Sequence, residues 1–254
     1  MKPMKHVAAT LSAAAVLLLL APALQAQKQA QKQPPDPLSV PKGARLQALI
    51  ERVKYEQARL KTLQASFVQQ QESSMLVAPE ESTGVFYYQA PDRVRWEYQA
   101  PSPISVVIAG DDMTTWYKDL KRADKLKVGR YSNQFFKYLG ASGNMQTLID
   151  YFTVKLQMPA KKGDPYRMDL VPRYARMAKR LESMTLWIDS ELFFPTRVRY
   201  VEAGGDSTEY RFQNIHRNTP IPAERFVLKL PPGTQTRVID MAREQQPKAG
   251  SSKP

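Results

Sequence analysis

The sequence predicts a mainly β fold with some helix, a meandering antiparallel sheet or barrel of about ten strands. Three observations lead there. Short runs in which apolar and polar residues alternate recur from residue 62 to residue 230, the signature of half-buried strands. Turn-forming breaks such as "AGDD", "KKGDP", "AGGD" and "PPG" separate those runs. The longest stretch of helical periodicity comes before the first of them.

The elements follow in chain order. Residues 1–26 read as a cleaved signal peptide: basic "MKPMKH", an apolar run, then small residues at Ala21, Ala23 and Ala26. That apolar run is shorter than the roughly 20 residues a spanning helix needs. Residues 27–41 are rich in Pro and Gln and predict a disordered linker. Over 42–63 the apolar residues Leu46, Leu49, Ile50, Val53 and Leu60 share one stripe, which predicts an amphipathic helix with something to cover. Strands are then expected in "LQASFVQQ", "GVFYYQ", "RVRWEYQ", "ISVVIAG" and "MTTWYKD". A second set lies in "FTVKLQM", "YRMDLVP", "LESMTLWID", "TRVRYVEA", "STEYRFQNI" and "ERFVLKLP". Between the two sets, 133–151 predicts two short helices broken at Gly140 and Gly143. Residues 240–254 predict a disordered tail, leaving one domain over 42–239.

Alternation assigns faces. In "RVRWEY", Val94, Trp96 and Tyr98 point one way while Arg93, Arg95 and Glu97 point the other. Phe86 and Tyr88 repeat the pattern one strand earlier, and Ile104, Val106 and Ile108 one strand later. Such a face either fills a core or lines a cavity, and alternation alone leaves both open.

The chemistry of most enzymes is missing. The chain has no cysteine and two histidines, of which His6 lies in the expected signal peptide. That excludes a disulfide framework and a His-rich or Cys-rich zinc site, so no metal and no cofactor are expected. His216 in "NIHRN" reads as an ordinary strand-end residue. None of the common nucleophile, phosphate-loop or metalloprotease motifs occurs. The pairs Glu80–Glu81 and Asp111–Asp112 sit in strand-edge and turn contexts rather than as paired catalytic acids. The formal net charge is +13, two of it from Lys2 and Lys5 in the expected signal peptide. Such an excess favours anionic partners, and export makes nucleic acid the least suitable of them. The basic segment "PRYARMAKR" over 172–180 suits either docking to an acidic headgroup or plain solvation.

Several of these pieces, in this order, resemble a known family. They are Leu63, Ala65, Phe67 and Gln69 in "LQASFVQ"; Gly84, Pro91, Val94, Arg95, Trp96 and Pro101 in "GVFYYQAPDRVRWEYQAP"; Gly110, Trp116 and Tyr117; and Phe226, Pro232 and Gly233. The pattern is similar to that of the periplasmic outer-membrane lipoprotein carriers, the LolA-like proteins, over about 42–238. The resemblance implies a half-closed, incomplete antiparallel β-barrel of about ten to eleven strands, covered by an N-terminal helix and short central helices. It implies a non-enzymatic periplasmic chaperone, acting as a monomer, that holds lipoprotein acyl chains in a hydrophobic cavity. An inner-membrane ABC exporter would load it and an outer-membrane acceptor would unload it. The cavity would be lined by Phe67, Phe86, Tyr88, Val94, Trp96, Tyr98, Ile104, Val106, Ile108 and Trp116. The lid would carry Leu46, Leu49, Ile50, Val53, Phe135, Phe136 and Leu139. Family members commonly place an arginine before the proline of the second motif, as a latch between barrel and lid; here that position is Ala90. A carrier of another lipid or lipid-linked product, and a half-barrel that senses lipoprotein or lipid, are the alternatives.

Overall fold

The computed structural model describes residues 32–127 and 145–239, nearly all of them within the unit Gln33–Pro254. Its first α-helix, α1 (Arg45–Ala58), follows a short 3-10 turn at Lys42–Ala44. Leu49, Ile50 and Val53 are fully buried along one side of it. Each contributes about 1.5–3 kcal/mol relative to exposure. The helix stops short of the expected residue 63 because the next residues are claimed by the sheet: Leu63 pairs with Tyr88, and Leu60 joins the core cluster beneath the sheet.

Among the described residues, twelve strands form one sheet. They are β1 (Thr62–Glu72), β2 (Glu80–Gln89), β3 (Arg93–Ala100), β4 (Ile104–Ala109), β5 (Asp112–Tyr117) and β6 (Arg122–Lys127). After helix α2 (Met145–Tyr151) come β7 (Phe152–Gln157) and β8 (Tyr166–Pro172), then a single helical turn, α3 (Ala175–Ala178). The chain continues through β9 (Leu181–Ile188), β10 (Pro195–Glu202), β11 (Ser207–Arg217) and β12 (Gln235–Ile239). The order is β12-β6-β5-β4-β3-β2-β1-β11-β10-β9-β8-β7, so the sheet stays open with β12 and β7 at its edges. Every neighbouring pair is antiparallel except β12 with β6. Local meanders account for all pairings but two, the long return of β11 onto β1 and of β12 onto β6.

Three expectations are corrected. The linker read as disordered over 27–41 is tied down where it is described: the Tyr166 hydroxyl donates to Asp36, Arg52 donates to the Pro34 carbonyl, and Pro37 is buried. "ERFVLKLP" is not a strand; Ala223–Phe226 makes a 3-10 turn that plants Phe226 against the sheet, and the prolines around it withhold ladder donors. In its place the sheet uses β6 and β12, whose runs "RADKLK" and "QTRVI" are too polar to stand out as strands.

The core divides in two on one face of the sheet. The first cluster gathers Leu63, Ala65, Phe67, Phe86, Tyr88, Val94, Trp96, Ile108 and Phe212 from β1–β4 and β11. The second gathers Tyr166, Met168, Leu170, Met184, Leu186, Ile188 and Val198 from β8–β10, beneath Leu49, Ile50 and Val53 of α1 and Met145 and Leu148 of α2. The β9–β10 turn joins them. Phe193, at φ 49°, enters the second cluster while Phe194 enters the first. Asp189 Oδ1 accepts from the Glu191 and Leu192 amides and holds this turn in place.

Candidate functional site

The strand register builds the inner face one row at a time. Trp96 stands opposite Phe86 on one side and Val106 on the other; Val94 stands between Tyr88 and Ile108; Tyr98 lies between Gly84 and Ile104. Phe67 faces Gly84 on β2 and Phe212 on β11. Gly84 is glycine for reasons of space: a Cβ there would lie 2.2 Å from the Glu97 carbonyl oxygen and 2.7 Å from the Phe67 ring.

The rings so assembled touch one another. Phe67 meets Trp96 edge-on at 4.9 Å and Tyr98 at 5.0 Å, while Phe86 lies 4.7 Å from Trp96. Tyr210 and Phe212 complete the cluster, at 5.3 and 5.9 Å from Trp96. Trp96 is 4% exposed and Phe67 1%. In this form of the protein the rings occupy the inner face themselves. A crevice of about 10 Å³ opens between the clusters at the end of α1, beside Leu60, Phe194 and Arg217.

At one margin the aromatic face turns polar. Tyr98 donates to Gln69 Oε1 at 2.8 Å and is hydrogen-bonded to Tyr210, and burial pushes the pKa of both phenols up. Both hydroxyls therefore stay protonated and uncharged at any physiological pH.

The structure separates the residues named from sequence. Phe67, Phe86, Tyr88, Val94, Trp96, Tyr98, Ile104, Val106 and Ile108 share the inner face, the first cluster and its half-buried margin. Trp116 does not. It pairs with Ser105, which pairs in turn with Glu97, so it points to the outer face; Met113, Thr115 and Tyr117 are the inward residues of β5. In "MTTWYKD" both parities carry an aromatic, and periodicity could not choose between them. Leu46, Leu49, Ile50 and Val53 pack over the second cluster, on β8–β10, rather than over the rings. Phe135, Phe136 and Leu139 lie outside the described residues. Ala90 is exposed in the β2–β3 turn, where its amide donates to the Lys61 carbonyl at 2.8 Å. Arg93 lies on the outer face, so it does not replace a latch there.

Tyr210, Phe212 and Phe194 are the aromatic residues of the first cluster that the sequence reading did not single out. "STEYRFQNI" alternates as clearly as "RVRWEY", but the pairing of β11 with β1 that brings its rings to the site joins segments distant in the chain and leaves no local trace.

The outer face is charged and held by ion pairs. Glu97 accepts from Arg95 Nε at 2.7 Å and from Ser105 at 2.9 Å, and contacts Lys118. Arg95 also donates to the Arg225 carbonyl at 3.0 Å, tying down the turn that carries Phe226. Burial alone would raise the Glu97 pKa, but the hydrogen bonds from Lys118, Arg95 and Ser105 outweigh it and hold the carboxyl below its usual range. A depressed folded-state pKa contributes stability above the unfolded value of about 4.5, and that stability is lost as pH falls through the folded value. The Glu97→Gln variant is accordingly expected to be less stable than the parent at pH 7, with the gap narrowing below about pH 4.5 in urea titrations. Farther along, Glu209 bridges Arg197 and Arg211, beside a polar cavity of about 250 Å³ also lined by Gln70, Glu72 and Arg199. The basic segment over 172–180 is mostly exposed around α3, with Arg173 Nε donating to the Phe152 carbonyl at 2.9 Å. Among the described residues no three His, Asp or Glu side chains gather as a metal site.

An open antiparallel sheet with a largely apolar inner face, helices over one half and clustered rings on the other, defines the class of half-open β-barrels. The model of the family described as "Outer membrane lipoprotein carrier protein LolA" matches residues 58–229, and the chain belongs to that family. A curated outer-membrane lipoprotein carrier protein from Alkalilimnicola ehrlichii is 29% identical over 178 residues, spanning 68% of this chain and 75% of that one. The crystal structure of an uncharacterized conserved protein from Thermus thermophilus superposes with a TM-score of 0.51 at 13% identity. The match covers 76% of this chain and 99% of that one, a likeness of fold.

Proposed function

We propose that the protein is a periplasmic carrier that takes the acyl chains of lipoproteins onto the inner face of its sheet and moves them from the inner to the outer membrane. An inner-membrane ABC exporter supplies the cargo and an outer-membrane acceptor removes it. The observation that carries this reading is the unbroken apolar inner face. Ile108, Trp96, Phe67, Phe212, Val198, Leu186 and Met168 all lie on it, in neighbouring rows of β1, β3, β4 and β8–β11, with no charged side chain among them.

Energetics suit a shuttle. Each methylene taken out of water is worth about 0.8 kcal/mol, so an acylated protein does not leave a membrane without a place to put its chains. Here that place is filled by the protein's own rings, and an entering chain must part them. The ring contacts given up offset part of the gain, which lowers affinity and lets cargo leave without a bound nucleotide. Loading then amounts to exchanging ring–ring contacts for ring–chain contacts on one surface.

Ala90 favours a second reading, carriage of another lipid or lipid-linked product, because the latch arginine of the lipoprotein carriers is replaced there. Isolation of the tagged full chain from the periplasm, followed by mass spectrometry of bound species, separates the two. Lipoproteins with acylated N-termini are the expected finding. Another lipid alone selects the second reading, and neither lipoprotein nor lipid after release is blocked overturns both.

A further inference from the structure

Trp96 carries a polar atom that no described residue answers. Its Nε1–H is buried without a hydrogen-bond partner, in a side chain only 4% exposed. An indole N–H is a donor alone, and buried ones ordinarily find an acceptor. Of the rings around it, Phe67, Phe86 and Phe212 carry no oxygen or nitrogen, and the hydroxyls of Tyr98 and Tyr210 are not hydrogen-bonded to it. A donor kept dry and unmatched in the middle of an apolar face is costly when the face is empty and favourable when something with an acceptor arrives.

The row through Trp96 gives such a ligand a direction. Towards β6 it continues as Val106, Thr115 and Asp124, becoming polar. Asp124 is 7% exposed, is paired with Arg122 and Arg237, and has an unpartnered Oδ1. It lies three strands, about 14 Å, from Trp96. The other way the face passes through Phe86 and Ala65 to Phe212 and the methionines and leucines of β8 and β9, staying apolar.

We propose that Trp96 Nε1–H is a carbonyl anchor, donating to the ester or amide carbonyl oxygen of a bound acyl group. The hydrocarbon runs from there towards β11 and β10, and the head end lies towards Thr115 and Asp124. The site therefore selects fatty acyl esters and amides over hydrocarbon of equal length. This inference rests on the acyl-carrier reading and adds the chemical group that is recognised.

Two probes isolate the carbonyl: 1-monopalmitoylglycerol and 1-O-hexadecylglycerol, with the same head and chain length but an ester in one and an ether in the other. The full-length protein is expected to hold the ester about tenfold more tightly. The Trp96→Phe variant, which keeps a ring without the N–H, is expected to hold both at the ether's affinity. In the unsubstituted chain, the Trp96 indole N–H resonance should move downfield with the ester and not with the ether. It is assigned by Trp116→Phe and Trp187→Phe, both changes on the outer face, so this reading survives even if Trp96→Phe does not fold. Equal affinities with no selective shift overturn the anchor and leave acyl carriage standing. Binding of neither probe overturns carriage and anchor together.

Discussion

Replacing Gly84 with alanine is expected to lower the unfolding free energy by about 3 kcal/mol, and valine there to abolish folding. The new Cβ meets a backbone oxygen of β3 at 2.2 Å, and backbone cannot swing aside as a side-chain tip can. Relief requires β2 and β3 to part. That loosens the pairing of Phe86 with Trp96 and of Gly84 with Tyr98. The same Cβ lies 2.7 and 2.8 Å from the Phe67 ring, so the ring must also tilt out of its edge contacts with Trp96 and Tyr98. Both consequences strike the centre of the first cluster. Urea unfolding followed by the tryptophan signal measures the loss; a change under about 0.5 kcal/mol would show that this approach is not as tight as described.

Phe67→Ala is expected to do two opposite things. Stability of the free protein falls by about 4 kcal/mol, the usual cost of removing a buried phenylalanine and leaving a void. Acyl binding improves by about tenfold, because the space an entering chain must win from the rings is already open. The ring lies at the junction of Trp96, Tyr98, Tyr210 and Phe212, where β1 receives β11, so its removal creates one connected void. By linkage, saturating palmitoylglycerol should raise the melting temperature of the variant by more than that of the parent. If the ligand stabilised the variant less than the parent, the Phe67 ring would hold the chain rather than stand in its place.

The strands of this fold are legible where one side is apolar and the other charged. "RVRWEY" and "GVFYYQ" declare their faces unaided, because a one-residue slip would bury Arg95 and expose Trp96. Where both parities are apolar the signal fails, and Trp116 falls on the other side from the one expected for that reason. Two strands at the β12 end of the sheet are hidden for a related cause: β12 is exposed along most of its length and β6 buries only Ala123 and Asp124, so "QTRVI" and "RADKLK" carry no apolar alternation. The helix stripe of Leu49, Ile50 and Val53 is visible in the sequence, but which half of the sheet it covers is not. That depends on the return of β11 to β1, which places β7–β10 beyond the first cluster and gives α1 a surface of its own. The turn at Asp36 leaves no local sign because its anchor, Tyr166, is 130 residues away. Composition describes a proline-rich stretch by itself and not by what it docks against.

Gly84 is readable as an element of a motif, whereas its cause, a ring and a carbonyl pressing from two directions, exists only once β1, β2 and β3 are assembled. The unmatched indole of Trp96 is of the same kind: the residue is plain, its missing partner is not.

The most direct test of where acyl chains bind is photo-crosslinking with a palmitoylated probe that carries a diazirine at the far end of the chain, followed by peptide mapping of the full-length protein. Attachment to inner-face residues, Phe67, Phe212, Val198 or Leu186 among them, is the expected result. Attachment confined to outer-face residues such as Tyr87 or Trp187, or none at saturating probe, would contradict the claim that this face is the carrier surface.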